Sequence, residues 1–150
     1  MNTKHVPSLE LCQELDRLCK ENNITLPETE YCWMPVTMPP IDGVEYILAK
    51  VGKDCPTNYR YGFPAPLVSE QGEWLPLRID LKVKANGDRS KVAYFLELQA
   101  GGFVLYYAHH LNHRKKFGYG EASDLKEANA RMKCLLYLLE NDIIDGNAFN

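Results

Sequence analysis

Between Ser8 and Asn22 the apolar residues Leu11, Cys12, Leu15, Leu18 and Cys19 recur at three- and four-residue intervals, with Gln13, Asp16, Arg17 and Lys20 on the other side. That period predicts a helix with one face on a core and the other in water. Ser8 stands at the N-cap position, and Asn22-Asn23 suits the exit. Near the far end of the chain, Leu125, Ala128, Met132, Leu135, Leu136 and Leu139 trace a second helical face over Asp124 to Ile144. Ser123 or Asp124 is its expected cap, and Glu127 lies at capping-box spacing from Asp124. The tail after Ile144 is expected to fray.

The middle of the chain changes to a period of two. Leu77, Ile79, Leu81 and Val83 alternate with Arg78, Asp80, Lys82 and Lys84, which predicts a strand with one face buried and one solvated. Asn86-Gly87-Asp88 tolerates positive φ, and Val92 to Gln99 alternates again through Val92, Tyr94, Leu96 and Leu98. Ala100-Gly101-Gly102 then turns the chain into Phe103 to His110. The linkers are too short for a parallel crossover, so these three segments form an antiparallel meander. Earlier, Glu30 to Thr37 reads as a short strand, which Pro35 assigns to an edge or a short element, and Val44 to Val51 as another. Met38 to Gly43 is a loop by composition, while Gly52 to Pro64 carries no decisive pattern. Pro66 to Leu75 reads as a short helix, with Pro66 in its first turn and Pro76 past its end, although Gly72 disfavours it. The expected fold is a single α+β domain over residues 1–150, an antiparallel sheet of about four or five strands ending in a meander. N- and C-terminal helices and a short middle helix flank it.

A length of 150 residues fits one core, and 45% apolar with 25% charged residues is average globular usage. A net charge of −3 supplies no general attraction for nucleic acid or membrane surfaces, although a local basic patch is compatible with it. No apolar run approaches the roughly 20 residues that span a bilayer, and Met1 to Pro7 lacks a signal-like apolar stretch. A cytoplasmic protein without membrane contact is expected. The five cysteines, Cys12, Cys19, Cys32, Cys55 and Cys134, are odd in number and never spaced Cys-x-x-Cys. They read as buried free thiols rather than a disulfide framework or zinc site, and no motif calls for a cofactor.

Several phrases together resemble a group of small uncharacterised proteins encoded by bacteriophages, prophages and bacterial mobile elements. They are Pro7-Ser8-Leu9-Glu10, Glu28-Thr29-Glu30-Tyr31-Cys32-Trp33, Ala65-Pro66 through Glu73-Trp74-Leu75-Pro76, the Gly101-Gly102-Phe103 turn, and Met132 through Leu135-Leu136-Tyr137-Leu138-Leu139-Glu140-Asn141-Asp142-Ile143-Ile144. The resemblance supports the short helix after Ala65 and implies a mobile-element origin, but carries no activity to particular residues. The chain departs from the group's pattern in a longer Thr37 to Phe63 segment and a longer His109 to Gly120 segment, where a special activity would reside.

His109-His110-Leu111-Asn112-His113 followed by Arg114-Lys115-Lys116 is the cluster with the most chemical potential. On a strand His109 and His110 face opposite ways, whereas His110 and His113 can meet in a turn to hold a metal. Beside these cations stand Tyr106, Tyr107, Phe117 and Tyr119, a combination that attracts phosphates and stacks on bases. With Tyr46, Tyr59, Tyr61 and Tyr94 these make seven of the chain's nine tyrosines, more than one core needs to bury, and tyrosine is favoured at interfaces. Trp33 and Trp74 read as core closures. Gly118-Tyr119-Gly120 is too short for a phosphate loop, no Gly-x-Ser-x-Gly occurs, and Cys55-Pro56 has only Lys53 nearby to activate it. The leading expectation is a non-enzymatic accessory protein that binds a macromolecular partner, in first place a protein, through a sheet edge or the Ala108 to Glu121 loop. Such a protein would modulate a host system, for example a defence nuclease. Nucleic-acid binding through residues 106–119 is the alternative, and a metal-dependent enzyme centred on His109, His110 and His113 is a further one.

Overall fold

The computed structural model describes residues 3–37, 40–52, 61–75, 78–82, 89–99, 102–109, 116–117 and 122–144. A 3-10 turn at Thr3–His5 leads into helix α1 (Leu9–Glu21). Ser8 has the extended N-cap backbone but makes no side-chain cap; its N–H donates to Asn129 Oδ1 at 2.8 Å, fastening the start of α1 to the last helix. Asn22 Nδ2 donates to the Leu18 carbonyl, Asn23 takes φ 55°, and the Ile24 N–H returns to the Cys19 carbonyl at 2.8 Å. This is a left-handed closure of the Schellman type.

The expected single sheet is divided in two. In the first, β1 (Tyr31–Pro35), β2 (Tyr46–Lys50) and β3 (Phe63–Pro64) lie in the order β2-β1-β3, all antiparallel. β1 is therefore central and not an edge, and of the two alternatives drawn from Pro35 the short element holds, at five residues. The Val36 N–H bonds to the Glu45 carbonyl, so by alternation the nitrogen of Pro35 faces the β3 side. β3 pairs only as far as Trp33 opposite Phe63, and the missing donor has no ladder to interrupt. One face of this sheet, with Tyr31, Trp33, Leu48 and Phe63, packs on Val6, Cys12 and Ala65, and Trp33 Nε1 donates to the Pro7 carbonyl at 3.1 Å.

Helix α2 (Val68–Trp74) follows β3, one turn shorter than the two prolines imply because Leu67 is its N-cap. The Glu70 carboxylate accepts the Leu67 N–H at 2.7 Å and the Glu30 N–H at 3.1 Å, bridging α2 to the start of β1. The meander then appears as expected: β4 (Arg78–Lys82), β5 (Arg89–Gln99) and β6 (Gly102–His109) pair in succession. Gly102 is the first residue of β6 rather than part of the turn. A Cβ there would sit 2.7 Å from the Asp124 carbonyl oxygen, so glycine serves the close approach of another strand.

That strand was not anticipated. The returning chain pairs with the outer edge of β6 twice, as β7 (Lys116–Phe117) and β8 (Ser123–Asp124), completing a five-stranded sheet. Ser123 and Asp124 are thereby claimed by the sheet, and helix α3 (Glu127–Glu140) starts later than the apolar pattern implies, with Lys126 at its cap. Leu125, expected on the buried face, is 79% exposed. Asp124 still serves the helix start: Oδ1 accepts the Lys126 N–H at 2.9 Å and Oδ2 meets Lys133 Nζ at 2.9 Å. α3 also ends early, in a second left-handed closure through Asn141, Asp142 (φ 54°) and Ile143, whose N–H returns to Leu138.

The main core lies around α3, which packs against α1, α2, β6 and β8. Leu15, Leu18 and Trp74 approach it from the helices, and Leu105 and Tyr107 from β6, around Met132, Leu135 and Leu138. Cys12, Cys19, Cys32 and Cys134 are buried and free, as their spacing implies; Cys55 lies outside the described residues. No helix among the described residues is long and apolar enough to cross a membrane.

Candidate functional site

The pairing of Tyr107 with Phe117 and Ala108 with Lys116 sets β7 against the outer edge of β6. His110, His113, Arg114, Lys115 and Tyr119 lie outside the described residues, while His109 is the last residue of β6, opposite Val92. Lys116 opens β7. Between the two pairings on its outer edge β6 runs two residues, Leu105 and Tyr106, whereas the returning chain runs five, 118–122. The Leu105 N–H nevertheless reaches the Ala122 carbonyl at 2.9 Å, so the ladder resumes after the extra residues.

Tyr106 and Tyr107 separate completely. Tyr107 is 0% exposed in the α3 core, which removes it from the contact surface and corrects its assignment as a binding residue. Tyr106 is half-buried on the opposite face of β6, away from Leu105 and Tyr107. Tyr46 is also spent on packing, with its ring 5.8 Å from that of Phe63 across the first sheet. Trp33 and Trp74 close cores, as expected. The excess of tyrosine is thus partly structural.

The sheet registers bring together residues that are distant in sequence. β6 ends at His109, beside β5 at Val92; β5 begins at Arg89, opposite Lys82; and Lys116 stands opposite Ala108. These positions crowd one end of the five-stranded sheet. Among the described residues of this end, Arg78, Lys82, Arg89, Lys91 and Lys116 stand with one acidic residue, Asp80, so these positions are locally basic in a protein of net charge −3. Lys82, Arg89 and Lys91 escape a reading of the sequence alone, because alternation marks them only as solvent-side. Phe95 does carry a sequence signal: it is a large aromatic ring on the water side of the Val92 to Gln99 alternation.

Away from that end, the titratable groups are structural. Burial pushes the Cys12 and Cys134 thiols up to about 12 and that of Cys19 to about 11, leaving them unreactive. Burial alone would raise Asp124, but the Lys126 N–H and the Lys133 ammonium outweigh it and hold the carboxyl below its ordinary value. Burial also lowers Lys126, which stands near Cys12 and Asp124. Glu70 is raised, since burial exceeds the effect of its two backbone donors. Among the described residues no group of three or more His, Cys, Asp and Glu is suited to hold a metal ion. Compared with known proteins, the chain matches no protein-family model, no curated protein and no solved structure, so function is argued from the site's own chemistry.

Proposed function

We propose that this is a non-enzymatic accessory protein of a bacteriophage or mobile element, acting in the cytoplasm, that binds nucleic acid through the basic end of its meander. The observation that carries the reading is the convergence of Lys82, Arg89, Lys91, His109 and Lys116 on one end of one sheet. A polyanion gains from such a cluster by releasing condensed counterions, whatever the net charge of the rest of the molecule. The neighbouring tyrosine and phenylalanine residues add surfaces on which bases stack.

Retention on DNA and RNA at low salt, followed as salt is raised, tests the proposal. Replacing Arg114, Lys115 and Lys116 by alanine is expected to weaken binding and to make the slope of log K against log salt shallower by up to about 2–3. Absence of retention at low salt, or an unchanged slope in the variant, overturns it.

A protein partner is the second reading, supported by Val36, Ile41 and Ile47, which are 52%, 67% and 50% exposed around the β1–β2 hairpin. Exposed apolar groups clustered on one hairpin are interface material. Affinity capture from the native host that recovers the same protein with the wild type and not with Ile47→Lys supports it; identical recovery removes it.

A further inference from the structure

We propose that β2 is a self-pairing edge, through which two copies of this chain join their three-stranded sheets into one antiparallel sheet about a two-fold axis at Ile47. The inference rests on the reading of the β1–β2 hairpin as a protein-binding surface and names its partner, a second copy. It is independent of the nucleic-acid reading.

The order β2-β1-β3 gives β2 one neighbour among the described residues, and the next strand along the chain, β3, pairs on the far side of β1. The two edges of this sheet are not alike. β3 is two residues long, and so short a strand offers little to pair with. β2 instead pairs with β1 five residues for five, without a bulge, and carries no proline. Its one charge is Lys50, at the last position, after Tyr46-Ile47-Leu48-Ala49. The Val36 N–H bonds to the Glu45 carbonyl and the Val51 N–H to the Glu30 carbonyl. Alternation therefore turns the backbone groups of Ile47 and Ala49 toward β1 and those of Tyr46 and Leu48 outward. Ile47 is 50% exposed although Met34, opposite it on β1, is buried, and Val36 on the same face is 52% exposed. An edge of this length with apolar, half-exposed side chains and no inward charge lacks the devices that keep strands apart.

Self-complementarity selects a second copy as the occupant. A two-fold axis at Ile47 sets it opposite the partner's Ile47 in a non-hydrogen-bonded pair, the arrangement that brings side chains closest. Tyr46 then exchanges backbone hydrogen bonds with the partner's Leu48, and Leu48 with the partner's Tyr46. Glu45 falls opposite the partner's Ala49, next to the partner's Lys50. The acidic end of each strand thus lies beside the basic end of the other, and no like charges are opposed. The joined sheet ends in a two-residue β3 on each side, so the contact closes at two copies instead of continuing into a fibre.

Sedimentation equilibrium of the full chain over about 1–100 μM, where micromolar association is resolved, is the test. The wild type is expected to dimerise. Ile47→Lys brings two positive charges face to face at the axis and should weaken the dimer more than about tenfold. Because Ile47 is half exposed, this variant should keep the wild-type circular dichroism spectrum. Ile47→Cys reads the register: on oxidation it should give a disulfide-linked dimer that the wild type does not form. Lys50→Cys should not cross-link, since its counterpart is about 20 Å away in this register. A monomer at every concentration overturns the dimer, and so does a dimer that Ile47→Lys leaves unchanged. The protein-partner reading is decided separately, by whether Ile47→Lys loses the protein captured from the host.

Discussion

Tyr106 and Tyr107 occupy adjacent positions on β6 and do opposite jobs, one half-exposed beside Phe95 in register, the other sealed against α3. Truncating a fully buried aromatic removes transfer energy and leaves a cavity, so Tyr107→Ala should cost about 3–5 kcal/mol. Urea denaturation measures this, and a cost under about 1 kcal/mol would place the ring outside the core. The cysteines make a second point at this scale. With thiols at about 11 to 12, Cys12, Cys19 and Cys134 should react with a disulfide reagent at pH 8 only as fast as the protein unfolds. A thiol-exchange time course with and without denaturant checks it; rapid native labelling of these three would contradict their burial. Core cysteines were legible from their spacing. The fates of the two tyrosines were not, because alternation assigns residues to two faces without naming the buried one.

At the scale of elements, the junction between β8 and α3 concentrates the departures from sequence expectation. Asp124 pairs with Phe103 in the sheet while its carboxylate gathers the Lys126 N–H, the Asn129 amide and Lys133. Its folded pKa is depressed, so its contribution to stability is complete above the ordinary aspartate value of about 3.9 and is lost as pH falls through the folded value. The urea midpoint of the wild type should therefore fall on acidification below about pH 4, and Asp124→Asn should flatten that part of the profile. An unchanged profile would show the ion pair to be incidental. Gly102 faces the same junction, where a methyl group would strike the Asp124 backbone, and Gly102→Ala should destabilise by about 1–3 kcal/mol, read from thermal unfolding. Helix ends were more legible than they first look. Asn22-Asn23-Ile24 and Asn141-Asp142-Ile143 repeat one phrase and build one closure, with Ile24 and Ile143 returning to the core. Recognising the second copy would have ended α3 at the right place.

Across the whole molecule, α1 joins the two sheets: Leu15 and Leu18 enter the α3 core, while Cys12 enters the cluster beneath the three-stranded sheet. The Ser8 to Asn129 and Glu70 to Glu30 hydrogen bonds fasten the same halves. The two tryptophans report on them separately, Trp33 in the smaller cluster and Trp74 in the larger. Single-tryptophan variants, Trp33→Phe and Trp74→Phe, should give coincident fluorescence midpoints in urea, and separated midpoints would mean two folding units. By itself, the sequence determined the helices, the meander and the division of each meander strand into two faces. Those follow from local periodicity and short linkers, which a single chain carries within a few residues. Only the tertiary structure decided that the sheet is two sheets, that β7 and β8 return along β6, and that Lys82, Arg89 and Lys116 come to one end of the larger sheet. Strand partners are chosen by long-range pairing, and no local pattern records which residues that pairing brings together.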